Sequence, residues 1–285
     1  MKEIHLIAKA KINLGLDVVR KREDGYHEVR MIMQMIDLYD KIVLSQKKES
    51  GIAIRTNLSF LPENENNLAY RAAKLLMDEF DVKEGLSISL TKHIPVAAGM
   101  AGGSTDAAAV MIGVNRLFRL NLTKKELMER AVNIGADVPF CIMRGTALAE
   151  GIGEKLTALP DMPHCYILIA KPKVHVSTKY VYSNLKADEL ESHPDIDGQI
   201  RALKDQDLKA LTAKMGNVLE TVTVPAYPVI DEIKRKMMKY GALGAMMSGS
   251  GPTVFGIFER ELDAQNAYRE LKKGNEAKQV YLIRQ

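Results

Sequence analysis

The chain has 285 residues, of which 46% are hydrophobic and 27% are charged, and its formal net charge is +4. This is enough for one large domain or two ordinary ones with a sizeable core. No stretch approaches the roughly 20 apolar residues of a membrane span, and the first residues lack the pattern of a signal peptide. Because the two cysteines are far apart, we expect a reduced, cytoplasmic protein without structural disulfides. The mildly basic charge suits an anionic small substrate as well as nucleic acid.

Strands and helices are mixed in the first part of the chain, which indicates an α+β fold. Residue patterns predict strands over 3–19, 28–46, 51–57 and 85–94, helices over 67–80 and from about Ser104 to Phe118, a further helix after Thr123, and a hairpin over 145–159. Asn66 or Asn67 is a plausible N-cap. Thr123 and Glu126 have the spacing of a capping box, and Gly135 stands where a helix is expected to end.

The second part of the chain starts a new series of strands and helices. The predicted elements are a strand at 165–172, helices at 197–220 and 228–241, a strand at 252–259, a helix at 262–274 and a strand at 277–284. This order suggests a split βαβ, ferredoxin-like domain. The segment 188–197 is the expected exposed connection.

A glycine-rich segment, Pro95–Thr105, follows a predicted strand and opens a helix. Its residues are Pro95, Val96, Ala97, Ala98, Gly99, Met100, Ala101, Gly102, Gly103, Ser104 and Thr105. Helix N-termini carry unpaired N–H groups and a partial positive charge, and small residues let an anion approach them. We call this segment the phosphate loop. It meets neither the Walker A pattern nor the Rossmann glycine spacing, so a plain strand-to-helix turn with Ser104 as N-cap remains open.

Three further stretches carry candidate functional groups. Alternation places Lys9, Lys11 and Asn13 on one strand face. Asp137 lies between small and apolar residues, as either an N-cap or a working group. A second glycine-rich turn, Ser248–Gly251, stands directly before a strand, and by itself it favours a β-turn.

Together these stretches resemble the GHMP kinases, which phosphorylate small alcohols or acids such as galactose, homoserine and mevalonate. The resemblance rests on the early lysine strand, on P-x-x-x-G-x-x-[GS]-[GS]-S before an alanine-rich helix, and on the late S-G-S-G-P turn, and it extends nearly from end to end. It implies a ribosomal-protein-S5-like N-terminal domain at 1–156 with the ATP loop, and a C-terminal domain at 157–285. The segment DGYH, at 24–27, narrows the resemblance to members that act on a cytidine diphosphate-linked methylerythritol.

The resemblance also implies roles for single residues. Asp137 would take the proton of the acceptor hydroxyl, and Lys11 would orient Asp137 and stabilise charge on the transferring group. The phosphate loop would hold ATP with Mg²⁺, whose protein ligand is unknown. Asn67 and Lys92 would contact the nucleotide. Tyr26 and His27 would contact the cytosine, with Tyr180 or Tyr182 as a second aromatic residue. The other implied substrate contacts come from Asn13, Gly249, Ser250 and Gly251.

Asp106 is an acid beside the expected phosphate site. Its simplest interpretation is an acid in a first helical turn, favoured by the helix dipole. The rival functions are another GHMP kinase of homoserine or mevalonate type, which gives no reason for Tyr26 and His27, and a non-catalytic RNA-associated protein. Against the latter, there is no Lys/Arg-rich run. We therefore expect a small-molecule cytidine diphosphate substrate, neither nucleic acid nor membrane as a partner, and a monomer or homodimer.

Overall fold

The structure is a computed structural model that describes residues 2–285, and its contacts divide it into two compact units. Unit 1 contains the described residues up to Ala10, with Leu38–Val96 and Ala101–Arg144; unit 2 contains Lys11–Asp37, Ala97–Met100 and Gly145–Gln285. Because each unit is discontinuous in sequence, the expected boundary between residues 156 and 157 stays a prediction about the family's domains.

The elements alternate along the chain much as the residue patterns predict. The first are β1 (Glu3–Lys21), β2 (His27–Lys47), β3 (Ile52–Thr56), α1 (Leu68–Glu79), β4 (Gly85–Thr91), α2 (Gly102–Leu117), α3 (Lys124–Ala131), α4 (Val138–Met143), β5 (Thr146–Gly151) and β6 (Lys155–Leu159). The others are β7 (Tyr166–Lys171), α5 (Thr178–Asn184), a 3₁₀ helix (Ala187–Glu189), α6 (Ile196–Lys204), α7 (Leu208–Ala213), β8 (Gly216–Asn217), α8 (Glu220–Ala226), α9 (Val229–Lys239), β9 (Gly244–Met247), β10 (Val254–Phe258), α10 (Glu261–Lys273) and β11 (Gln279–Arg284).

Unit 1 is a sheet covered by helices. Strand β4 pairs with β3 in parallel and with the second half of β2 in antiparallel orientation. Helix α2 packs on α1 and α4, and a Cβ placed on Gly113 would lie 2.3 Å from Leu44 Cδ1, so the helix also approaches the sheet closely. Because α2 has neighbours on several sides, it is buried nearly all round, including the alanines 107–109.

Unit 2 contains the predicted hairpin and the predicted ferredoxin-like sheet. Strand β5 pairs with β6 and with the first half of β2. A separate antiparallel sheet has the strand order β11-β7-β10-β9. Helices α9 and α10 pack on this sheet, and the chain order of its strands and helices is that of a split βαβ unit. The α+β fold class and the ferredoxin-like topology are therefore confirmed.

The pattern of segment 197–220 predicts one continuous helix, but in the structure this segment is interrupted. It holds α6, α7 and the short strand β8. Gln206 has a left-handed φ of 54° between the two helices, and the Asp207 carboxylate accepts a hydrogen bond from Ala210 N at 2.9 Å as the N-cap of α7. Thus a left-handed residue and a capping acid end one helix and begin the next.

Two predicted helix ends also differ from the structure. Helix α2 begins at Gly102, with Ala101 in the left-handed region as its N-cap, so Ser104 lies inside the first turn and does not cap. Helix α3 begins with the predicted capping box of Thr123 and Glu126, but it ends at Ala131. Gly135 lies beyond a following turn, where its N–H donates back to Ala131 O at 3.2 Å.

Candidate active site

The phosphate loop has a backbone suited to presenting N–H groups. Ala97, Gly99 and Ala101 have φ values of 50°, 70° and 55°. Alternation of left-handed residues with others turns successive N–H groups to one side, as in anion-binding nests. Because alanine at the N-cap has no side-chain acceptor, the first N–H groups of α2 are left for another partner. The loop therefore has the geometry of an anion site.

Gly99 packs against the second glycine-rich turn. A Cβ on Gly99 would lie 2.1 Å from the carbonyl oxygen of Ser248, and Ser248 Oγ donates to Gly99 O at 2.9 Å. Any larger residue at position 99 would push the two segments apart. Within unit 2, the structure thus brings residues 97–100 together with the turn that contains Gly249, Ser250 and Gly251.

Asn217 holds this turn, a role that no residue pattern predicts. Its side-chain amide donates to Met247 O at 2.9 Å and to Gly249 O at 2.8 Å. Asn217 is buried and lies in a segment whose pattern predicts a helix, so only the tertiary structure reveals its role. Ser250 is held from another side, by a hydrogen bond of 2.8 Å between its hydroxyl and that of Thr178.

Lys11 and Asn13 lie beside the same segments of unit 2. Lys11 Nζ donates to Asn13 Oδ1 at 2.7 Å, and both side chains are buried. Lys11 N donates to Met100 O at 3.2 Å, and a Cβ on Gly249 would lie 3.7 Å from Asn13 Oδ1. A buried ammonium next to a loop of small residues supplies a positive charge that suits an anionic ligand. The structure thus brings Lys11, Asn13 and the late turn close together within unit 2, and their contacts to the substrate stay a prediction.

Lys92 is not available as a simple nucleotide contact, because its ammonium bonds to two carboxylates. Lys92 Nζ forms ion pairs with Asp40 Oδ2 and Asp106 Oδ2, and it donates to Gly102 O at 3.3 Å. All three side chains are at most 4% exposed. Asp106 is thus a buried ion-pair partner, and because α2 begins at Gly102 it lies beyond the first helical turn in which it was expected. We call these three residues the acid–lysine cluster.

Asp40 is the member of the acid–lysine cluster that the sequence patterns missed. Its Oδ1 accepts hydrogen bonds from the backbone N–H groups of His93 and Ile94, directly before the phosphate loop. The signal in the sequence was an acid inside the apolar strand β2. The structure shows that this acid is fully buried, which is rare for Asp unless it is paired. Its partners lie more than fifty residues away, so the pattern of β2 alone does not identify them.

Asp137 precedes the short helix α4 and occupies its N-cap position. Its side chain makes no capping hydrogen bond, so the N-cap function that its position allows is not carried out. Asp137 is half-buried, which leaves part of its surface accessible. Its pairing with Lys11 stays a prediction.

Asn67 serves as the N-cap of α1. Its Oδ1 accepts from Ala69 N at 3.0 Å, and its Nδ2 donates to Pro62 O at 2.9 Å. Both ends of the amide are used within the protein, so Asn67 is a structural residue. A contact of Asn67 with the adenine stays a prediction.

The DGYH segment forms the turn between β1 and β2. The Asp24 carboxylate accepts from Tyr26 N at 3.1 Å and from the Arg22 guanidinium. Residue Tyr26 is 61% exposed. The His27 ring lies 5.2 Å from that of Tyr182, at 44°. Tyr182, one of the two predicted second aromatics, thus joins the segment within unit 2. Burial, with the charge of Lys21, lowers the pKa of His27, so its neutral ring can both donate and accept hydrogen bonds at neutral pH.

Among residues 2–285, no group of three or more His, Cys, Asp or Glu side chains is arranged to hold a metal ion. Mg²⁺ is usually bound through one or two side chains together with substrate phosphates, so the Mg²⁺ that the resemblance implies stays a prediction. None of the helices among residues 2–285 combines the length and the hydrophobicity of a membrane-spanning segment.

Comparison with known proteins places these features in one family. Residues 67–145 match the GHMP kinases N terminal domain, and residues 199–277 match the GHMP kinases C terminal domain. A 4-diphosphocytidyl-2-C-methyl-D-erythritol kinase of Lachnospira eligens is 58% identical over 281 residues, which are 99% of this chain and 98% of that protein. The same kinase of Bacillus subtilis is 49% identical over 97% of this chain and 95% of its own length.

Solved structures agree with this assignment. A crystal structure of 4-(cytidine 5'-diphospho)-2C-methyl-D-erythritol kinase has a TM-score of 0.85 and 31% identity, covering 99% of this chain and 98% of its own. Homoserine kinase from Cytophaga hutchinsonii has a TM-score of 0.81 at 22% identity, covering 100% and 96%, so its likeness concerns the fold alone. The chain belongs to the GHMP kinases, and within them to the family of the 4-diphosphocytidyl-2-C-methyl-D-erythritol kinases.

Proposed function

We propose that the chain transfers the γ-phosphoryl group of ATP to the 2-hydroxyl of 4-diphosphocytidyl-2-C-methyl-D-erythritol, a step of isoprenoid precursor biosynthesis by the non-mevalonate route. The observation that carries the proposal is the identity of 58% with a curated kinase of that name along almost the whole of both chains. Homoserine kinase matches in fold at only 22% identity. The arrangement of Tyr26, His27 and Tyr182 supports a cytosine subsite that a homoserine or mevalonate kinase does not require.

The reaction forms a bond between the acceptor oxygen and the γ-phosphorus, and it breaks the bond from that phosphorus to the β–γ bridging oxygen. ADP leaves, and the hydroxyl proton passes to the Asp137 carboxylate. In phosphoryl transfer the protein chiefly positions groups and offsets charge. Lys11, buried beside Asn13, supplies a positive charge for the transferring group. The phosphate loop supplies N–H groups for the ATP phosphates. A Mg²⁺ ion bound with ATP would offset the charge of these phosphates.

The cytidine diphosphate end of the substrate is held by aromatic residues of unit 2. Tyr26 stacks on the cytosine with its exposed ring, and His27 bonds to the edge of the base. The rings of His27 and Tyr182 lie 5.2 Å apart, so part of the surface that meets the base is formed before binding. Ordering before binding lowers the entropy that binding costs.

The proposal is tested by ADP release, measured with a coupled assay and saturating ATP. We expect turnover with 4-diphosphocytidyl-2-C-methyl-D-erythritol and none above background with homoserine or mevalonate. The phosphorylated position is then identified by ³¹P–¹H correlation in the product. Turnover with homoserine and not with the cytidyl substrate would overturn the proposal.

Replacing Tyr26 by Ala is expected to weaken binding of the cytidyl substrate by about 5- to 150-fold, since stacking on a base contributes roughly 1–3 kcal/mol. The affinity for ATP should stay within about twofold. Because Tyr26 is exposed, the fold should not be affected. Calorimetric titration with each ligand measures both affinities, and Tyr26→Phe, which keeps the ring, is the matched control. Equal losses for both ligands would contradict a role in cytosine binding.

A further inference from the structure

The acid–lysine cluster carries more negative than positive charge in a buried place. Asp40 from β2, Lys92 from the end of β4 and Asp106 from α2 contribute two carboxylates and one ammonium. Burying an unbalanced charge is costly, and the usual response is uptake of a proton. The number of protons bound to the cluster is therefore expected to change when the charge around it changes.

Within the cluster, one carboxylate oxygen is left without a partner. Asp40 accepts from Lys92 and from two backbone N–H groups. Asp106 accepts from Lys92 through Oδ2, whereas its Oδ1 is buried and makes no hydrogen bond to the described residues. A proton on Oδ1 would neutralise the negative charge of a buried oxygen that accepts no hydrogen bond.

The charges that act on Asp106 are few. Its burial raises the pKa to about 7, Lys92 opposes this rise, and the like charge of Asp40 adds to it. Helices α1 and α3, which also pack on α2, hold charged side chains in surface ion pairs and hydrogen bonds such as Lys74 with Asp78 and Arg130 with Glu79. Helix α4, which also packs on α2, carries the titratable residue Cys141, and Asp137 lies directly before this helix.

The cluster lies directly beneath the start of the phosphate loop's helix. Lys92 Nζ donates to Gly102 O, and a Cβ on Gly102 would lie 3.6 Å from that nitrogen. An anion bound to the N–H groups at this helix start adds negative charge close to Asp106. This added negative charge favours the protonated carboxyl group.

We propose that the acid–lysine cluster takes up a proton from solvent, at Asp106, when the phosphates of the nucleotide bind to the phosphate loop. The inference rests on the proposed function, because it requires a nucleotide at that loop. Asp40, Lys92 and Asp106 are then positioning residues. They fasten the first turn of α2 to β2 and β4 and adjust its charge to the ligand.

Proton uptake is measured by titration calorimetry at pH 7.5 with adenosine 5′-O-(3-thiotriphosphate) and magnesium, in buffers that differ in ionisation enthalpy. The terminal thiophosphate is fully ionised at this pH, so the probe itself exchanges no proton. If binding raises the pKa of Asp106 by about one, linkage predicts that the wild type takes up about half a proton more than Asp106→Asn. Asp78→Asn removes an exposed acid of α1 and should match the wild type.

A second measurement uses the wild type alone and so does not require that Asp106→Asn folds. Linkage predicts that the wild-type affinity for the same probe falls by about fourfold between pH 6.5 and 8, and Asp106→Asn should flatten this profile. Equal proton uptake by the wild type and Asp106→Asn, or a flat wild-type profile, would overturn the inference while leaving the nucleotide site intact. Failure of the wild type to bind the probe would overturn both the inference and the proposed site.

Discussion

Replacing Asp137 by Asn is expected to lower kcat by about 10²- to 10⁴-fold, the usual contribution of general acid–base catalysis. The amide keeps the shape of the side chain but does not accept the proton of the hydroxyl. The affinity for ATP should be nearly unchanged. Single-turnover phosphoryl transfer and calorimetric ATP binding measure the two quantities separately.

The control for this experiment is Asp188→Asn, which removes an exposed acid from the 3₁₀ helix and should leave kcat unchanged. Because Asn has nearly the same size and shape as Asp and no capping hydrogen bond is lost, the thermal midpoint of Asp137→Asn should also stay near that of the wild type. Normal turnover by Asp137→Asn would mean that Asp137 is structural. A large loss of stability would point to the same conclusion.

Replacing Lys92 by Met is expected to lower the free energy of unfolding by about 3–5 kcal/mol at pH 8, the typical cost of removing one partner of a buried ion pair. The substitution leaves the carboxylates of Asp40 and Asp106 buried without their ammonium. Urea denaturation followed by circular dichroism measures the change. An unchanged denaturation midpoint would contradict a buried cluster.

The pH dependence gives this second prediction its sign. Burial holds the pKa of Asp106 near 7 in the folded protein, above the 3.8 of an ordinary Asp, so ionisation of Asp106 opposes folding as pH rises between those values. Removing Lys92 takes away the charge that opposes the rise of this pKa, so in Lys92→Met the Asp106 carboxyl group should stay protonated to a higher pH than in the wild type. The loss of stability caused by Lys92→Met should therefore be smaller at pH 5 than at pH 8, and adding Asp106→Asn should recover part of it. Lys74→Met, which breaks an exposed ion pair with Asp78, should change little at either pH.

The residues that define the family were predictable because their signals are local. The phosphate loop, the DGYH turn and the S-G-S-G-P turn are short runs in which glycine, hydroxyl and aromatic residues occur at fixed spacing. The alternation in β1 likewise predicted that Lys11 and Asn13 share a face, and the two side chains are hydrogen-bonded. The least accurate predictions were helix limits. The left-handed φ of Gln206, for example, is not encoded by hydrophobic periodicity.

By itself, the sequence determined the fold class, the family resemblance and the residues expected to do chemistry, because periodicity and short motifs report on neighbours along the chain. Only the tertiary structure decided what Asp40, Lys92, Asp106 and Asn217 do. Their partners lie on other elements, brought close by pairings such as that of β2 with β4. Burial and the number of hydrogen-bond partners set the energy of a charged group, and both arise only once distant segments pack together. For that reason, the sequence indicated only an acid at the start of a helix at Asp106, whereas the structure shows the carboxylate of a buried ion pair.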